Sequence, residues 1–288
     1  SGNTITLLPF LALLGAASIR VIPALNSLNG LLNSQKFIQP SFEKMSSEFE
    51  LYEKNQSKNN PKDKHIIHYN SFNELRFSRI SFSYKNNLKD VIKDFSFVIN
   101  KNQINGIIGK SGSGKTSIIK ILLGFFKINE GSIFLDNKKI NIKKINFDCS
   151  VGLVPQNIFL IDSTLTGNIA LGISEKEIDF DLMKKCIKEA ELSEFVDNLP
   201  EGQNTRLGEN GSFLSGGQKQ RIGIARALYR NSSILIFDEF TTGLDETTSN
   251  QIIKTVKKLS KYKTIIIVTH DLGLKRLFNN TIDLDYKI

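Results

Sequence analysis

Eight consecutive residues, Gly109, Lys110, Ser111, Gly112, Ser113, Gly114, Lys115 and Thr116, follow the spacing G-x-x-x-x-G-K-[ST] without exception. Glycines at these positions let the backbone curl until successive N–H groups converge on one point, an arrangement that holds phosphate. Lys115 is placed to reach the β- and γ-phosphates of a nucleotide, and Thr116 to offer a hydroxyl to Mg²⁺. A helix beginning near Lys115 adds its positive end. A second stretch, Ile234-Leu235-Ile236-Phe237-Asp238-Glu239, is an apolar run ending in two carboxylates. Alone it is weak, because many strands end at the surface in acids. Beside a phosphate loop, Asp238 becomes the acid on the Mg²⁺ side and Glu239 the general base for an attacking water. Together the two stretches point to Mg-ATP binding and hydrolysis.

Such groups must be aimed by strands. Residues 104–108 are a short apolar strand running directly into the phosphate loop, and residues 117–123 continue it as an apolar helix. Residues 234–237 and 264–268 are further buried-strand runs. Helical stretches at 181–190, 217–229 and 247–260 lie between or beside them. Strands alternating with helices predict a parallel α/β core. Residues 75–84 and 91–99 are strand-like, with a turn at Asn86-Asn87, and predict a small antiparallel sheet beside that core.

A third stretch, Leu214-Ser215-Gly216-Gly217-Gln218, with the phosphate loop before it and the acid pair after it, resembles the signature of the ATP-binding cassette (ABC) family. The resemblance covers residues 74–288, with the motifs in the family's order. It implies a P-loop NTPase core of α/β class with a parallel sheet, a small antiparallel β subdomain and an α-helical signature subdomain. It also carries roles onto matching positions. Tyr84 stands where the family stacks an aromatic on adenine. Gln156, in Val154-Pro155-Gln156, resembles the glutamine that contacts Mg²⁺ and senses the transmembrane domain. His270 resembles the switch histidine at the γ-phosphate. Asp245, in Gly243-Leu244-Asp245, belongs to the loop that crosses the dimer interface. Glu209, in Thr205-Arg206-Leu207-Gly208-Glu209-Asn210-Gly211, resembles the acid that touches the intracellular loops of exporter-type membrane domains. Residues 163–172, with Gly167-Asn168-Ile169, also look like the exporter segment that follows Gln156.

The implied nucleotide site comprises Tyr84, the phosphate loop and Ser117. Lys115, Gln156, Glu239 and His270 would be catalytic, and Thr116, Gln156 and Asp238 would face the metal. The signature residues Leu214–Gln218 would act on a partner's ATP. Two cassettes would pack head to tail around two ATPs, as a homodimer or with a related chain, attached to a transmembrane domain. The expected place is the cytoplasmic face of a bacterial inner or plasma membrane. Departures from the family pattern are mild. Thr116-Ser117 reverses the commoner Ser-Thr order, Phe240 replaces the usual Pro, Gly243 a common Ala, and Asn102 stands where many members have Gly.

The remaining sequence sets the context. Residues 5–19 are almost wholly apolar, shorter than the roughly 20 needed to span a bilayer. With residues 21–32 they are expected to form the cytoplasmic end of a last transmembrane helix, bent at Pro9 and Pro23. Arg20-Val21-Ile22-Pro23 resembles flippases of lipid-linked oligosaccharides locally. Ser41 is expected to cap a separate short amphipathic helix carrying Phe42, Met45, Phe49 and Tyr52, followed by a polar linker at 53–64. The expected divisions are therefore 1–35, 36–73 and 74–288. His65 and His68 have metal-ligand spacing but no third ligand in view. Cys149 and Cys186 are expected as reduced thiols. The net charge of +9 is spread without a compact basic block, which argues against a nucleic-acid partner. Two alternatives stay open: a soluble ABC ATPase of DNA repair or translation, and a regulatory cassette that does not turn over.

Overall fold

The computed structural model describes residues 4–58, 72–84, 90–140 and 151–285. Contacts divide the chain into two units, Ser1–Asp63 and Lys64–Ile288.

The described residues of the first unit form one helix, α1 (Thr4–Lys58), of 55 residues. It runs through Ser41, where a second helix had been expected to start, and through residues 53–58, where a linker had been expected. Ser41 therefore caps nothing. A capping side chain acts only where the backbone leaves the helical ladder, and here the ladder continues. Pro9 and Pro23 are likewise accommodated within it. Apolar side chains including Leu25, Leu28, Leu31 and Phe42 are exposed along α1. Among the described residues, no helix is long and apolar enough to cross a membrane. His65, His68, Cys149 and the Asn86-Asn87 turn lie outside the described residues.

The second unit holds two sheets. Strands β1 (Glu74–Phe82), β2 (Ile92–Asn100), β4 (Glu130–Leu135) and β5 (Lys138–Ile140) form an antiparallel sheet in the order β2-β1-β4-β5. The expected pair of strands is thus joined by two later ones. The other sheet is parallel, in the order β6-β7-β8-β3-β9. Its strands are β3 (Ile104–Ile108), β6 (Val151–Val154), β7 (Ile234–Asp238), β8 (Thr264–Thr269) and β9 (Asn280–Asp283).

A strand's side chains alternate between faces, so a strand covered on both sides must be apolar throughout. β7 shows this. Ile234 and Ile236 enter one core with α2 (Lys115–Leu122) and the antiparallel sheet, while Leu235 and Phe237 enter the other. That second core is built with α4 (Phe180–Glu189) and α6 (Gly216–Tyr229). Helix α4 starts where Asp179 accepts the N–H groups of Asp181 and Leu182, and it packs on α6. Helices α3 (Leu165–Ile169), α5 (Ser193–Asp197) and α7 (Glu246–Leu259) complete the unit. Burial pushes the Cys186 thiol up to about 11, which leaves it an inert core thiol.

Candidate active site

All five strands of the second sheet run the same way, so their C-terminal ends share one edge, where α/β sheets bind ligands. β3 ends one residue before Gly109, β7 ends in Asp238, β8 ends one residue before His270, and β6 ends two before Gln156. A cavity of about 930 Å3 lies there, lined by residues that include Tyr84, Lys115, Thr116, Gln156, Asp238, Glu239 and His270. Ser117, which also lines the cavity, is buried, and its hydroxyl is hydrogen-bonded at 2.9 Å to the Tyr84 hydroxyl. Tyr84 also packs edge-on against Phe82 and Phe126.

The phosphate loop needs its glycines. Gly112 and Gly114 have φ of 82° and 104°, a region that only Gly enters without strain. A Cβ on Gly109 would come within 2.5 Å of Ser113 Oγ. Lys115 Nζ folds back over the loop, donating to the carbonyls of Gly109 at 2.6 Å and Lys110 at 2.9 Å. Ser113 Oγ is buried with no hydrogen-bond partner. Lys110 N donates to both carboxylate oxygens of Asp285, at 3.1 and 3.0 Å. No spacing rule in the sequence points to Asp285. It reaches the loop only because β9 pairs with β3.

Beside the loop, burial and the neighbouring Glu239 push the Asp238 carboxyl above its ordinary value, and Lys115 partly offsets them. Glu239 has φ of 48°, which is strained for a side chain of this size. Its N–H donates to Val268 O at 2.8 Å. Its carboxylate meets His270 Nδ1 at 2.8 Å and accepts from Thr269 Oγ1 at 3.3 Å. The Glu239 side chain is only 13% exposed, that of His270 62%. Phe240 is buried edge-on against Phe237, which accounts for an aromatic in place of the usual proline. Asn102 has φ of 51° and Gly243 of 78°, so each takes a conformation that Asn and Gly tolerate.

The site suits a nucleotide with a hard cation. The loop offers the Lys115 ammonium and the start of helix α2. Thr116, Gln156 and Asp238 each offer an oxygen to such a cation, and its charge would oppose the upward shift of the Asp238 carboxyl. Among the described residues, no group of three or more His, Cys, Asp or Glu side chains could hold a metal by itself.

The remaining residues singled out by sequence lie outside this cavity. Leu214 is buried in the core. Ser215 and Gln218 cap α6 reciprocally: Gln218 N donates to Ser215 Oγ at 3.2 Å and Ser215 N to Gln218 Oε1 at 2.9 Å. The early N–H groups of the helix, those of Gly216 and Gly217, have no acceptor within it. Asp245 caps α7, accepting from Thr248 N at 2.9 Å, and hydrogen bonds from the Thr248 side chain and backbone hold its carboxyl low. Glu209 is exposed in a single turn, Glu209–Gly211. Next to it, Asn210 Oδ1 accepts from Leu160 N at 3.3 Å, and Leu207 N donates to Ser163 O at 2.9 Å. The two stretches paired by sequence as exporter-like are therefore in contact.

Residues 92–242, just over half the chain, match the family described as ABC transporter. The chain belongs to the ABC transporter family. Among relatives, the ABC transporter B family member 29, chloroplastic, of Arabidopsis thaliana is 40% identical over 202 residues, which cover 69% of this chain and 32% of that protein. The ATP-dependent lipid A-core flippase of Vibrio cholerae is 36% identical over 201 residues, covering 69% of this chain and 34% of that protein. Among solved structures, a bacterial Atm1-family ABC exporter with ATP bound matches with a TM-score of 0.65 and 31% identity, over 75% of this chain and 37% of that one. The chain thus spans about a third of the length of the curated ABC relatives it matches. It carries their ATPase domain, and domains of this family bind ATP.

Proposed function

We propose that this chain is the ATP-hydrolysing cassette of an exporter, fixed to a transmembrane domain and working as one of two head-to-tail copies. The gathering of Lys115, Gln156, Asp238, Glu239 and His270 into one cavity by the ends of parallel strands carries this. The phosphate loop holds the triphosphate by its N–H groups and Lys115, and Tyr84 takes the adenine face. Thr116, Gln156 and Asp238 offer the oxygens for Mg²⁺, which when bound neutralises charge across the phosphates. Glu239 accepts a proton as a water oxygen attacks the γ-phosphorus, the bond to the β–γ bridging oxygen breaks, and ADP and phosphate result. His270 holds the Glu239 carboxylate from its open side.

Ser215–Gln218 stand outside the cavity at a helix start where Ser215 and Gly216 are exposed. They suit the γ-phosphate of a second copy, which neither cavity can close upon alone. Glu209 and the segment it touches suit contact with the membrane domain. The names of the relatives favour a lipid cargo and a membrane location, and α1 suits the end of a membrane domain. Mg-ATP hydrolysis by the longer parent protein in liposomes, with Glu239→Gln alongside, tests this. Turnover that the variant abolishes and a lipid A-type glycolipid stimulates supports it. Turnover indifferent to the substitution, or a parent found wholly outside membranes, overturns it.

A further inference from the structure

Helix α4 ends in a Schellman motif, with Leu192 N donating to Ile187 O at 2.9 Å and Glu191 N to Lys188 O at 3.0 Å. That motif places Glu191 at the left-handed position, with φ of 55°. Glycine or asparagine normally stands there because a longer side chain is strained. A glutamate at such a site needs a reason beyond the turn, and its carboxylate supplies one. Oε2 meets Arg221 Nη1 at 3.1 Å and Oε1 meets Lys258 Nζ at 2.6 Å. Arg221 lies on α6, one turn beyond the signature residues, and its side chain is only 11% exposed. It also donates to Gln251 Oε1 at 3.1 Å and to the Ala190 carbonyl at 3.2 Å. Gln251 and Lys258 are both on α7.

One carboxylate therefore ties the helix that begins at the signature to the helix that Asp245 caps. The two helix starts touch as well. A Cβ on Gly217 would overlap the Thr248 side chain, and one on Gly216 would come within 2.9 Å of Leu244 Cδ2. Contact at the start and an ionic junction further along fix the register of α6 against α7. We propose that Glu191 is a positioning residue. It holds the signature residues and Asp245 as one rigid edge, so that both meet a second copy together. This rests on the two-cassette reading above. Glu191 lies outside the nucleotide cavity of its own chain, so its effect must fall on closure rather than on first binding of nucleotide.

The test compares the chain with its Glu191→Gln and Glu191→Gly variants in mild detergent. A fluorescent ATP analogue reports binding, and light scattering in a Glu239→Gln background reports association driven by Mg-ATP. Glycine relieves the left-handed strain, so that variant separates loss of the junction from loss of the turn. The expected result for both is unchanged analogue affinity, with the ATP needed for association raised and hydrolysis lowered by about five- to tenfold. Lys258→Ala should give a smaller loss in the same direction. Association and hydrolysis equal to the parent chain, or analogue affinity falling in step with them, overturns the proposal. If the Glu239→Gln chain with Glu191 intact fails to associate at all, the two-cassette reading falls and takes this inference with it. That result is distinct from loss confined to the Glu191 variants.

Discussion

The nucleotide cavity and the signature edge spend their backbone and charge differently. In the cavity, polar groups are held back from one another's full satisfaction. Asp238 is raised by burial and Glu239, and Glu239 sits at positive φ. At the edge, the side chains of Ser215, Gln218 and Asp245 are all satisfied within the chain, each closing its own helix. A site that stores unmet interactions is ready for a ligand, whereas an edge whose side chains are spent offers backbone and shape. The cavity should thus respond to changes in chemistry, and the edge to changes in volume.

The largest effects should follow from removing chemistry in the cavity. Lys115→Ala should abolish productive nucleotide binding, measured with a fluorescent analogue, since its ammonium is the one held across the loop, on the carbonyls of Gly109 and Lys110. Glu239→Gln should leave that binding intact and lower turnover by about 10²–10⁴-fold, the usual contribution of a positioned general base. A Glu239→Gln chain hydrolysing at the parental rate would mean that the carboxylate only braces His270. The cavity would then be a binding site with its base elsewhere.

This contrast also marks what was legible in the sequence. The phosphate loop and the acid pair stand at the ends of apolar runs of the right length, and Gln156 and His270 were placed by their resemblance to the family's motifs. A parallel sheet has only one edge to which such ends can come, so pattern led to geometry. Strands β3 and β7 were read within a residue of their bounds for the same reason. Strands β4, β5, β6 and β9 were missed, being short and partly exposed. Asp285 was missed with β9, because its contact with Lys110 is a property of strand order and not of spacing. Ser41, a good capping residue, predicts a boundary, and helix α1 runs through it. Capping preference shows where a helix can start, and it cannot overrule a helical run already under way. Glu191 carries no motif at all; only its φ and its partners single it out.

A change of volume at the edge should have the next largest effect. Gly217→Ala would press a methyl into the Thr248 side chain, and overpacking of this kind costs about 1–3 kcal/mol. Analogue binding in the cavity should persist while hydrolysis falls about tenfold. Adding Thr248→Ser removes the methyl that is struck and should restore most of the loss. Failure of that rescue, with the fold intact by circular dichroism, would show that the backbone at Gly217 matters more than its packing. The edge would then be chemical after all.

The smallest effect compares two carboxylates through pH. Asp238 is raised in the folded chain by burial and Glu239. Its favourable contribution is complete below the unfolded carboxylate value and is lost as pH rises through its folded value. At neutral pH Asp238→Asn should therefore raise Tm in the absence of nucleotide, with the difference vanishing in acid. Glu191 goes the other way. Burial alone would raise its carboxyl, but hydrogen bonds from Lys258, Arg221 and Thr255 outweigh burial and hold it low. Its contribution is present above the unfolded value and is lost as pH falls through the folded one, so Glu191→Gln should lower Tm at neutral pH and converge with the parent chain in acid. Each kcal/mol moves Tm by about 2–4 °C in a domain of this size, well within reach of a thermal scan at several pH values. Opposite signs at neutral pH are what an active-site acid and a structural acid should give. Two shifts of the same sign would mean that the cavity at Asp238 is as fully satisfied as the junction at Glu191, and the contrast between the two regions would fail at its weakest point.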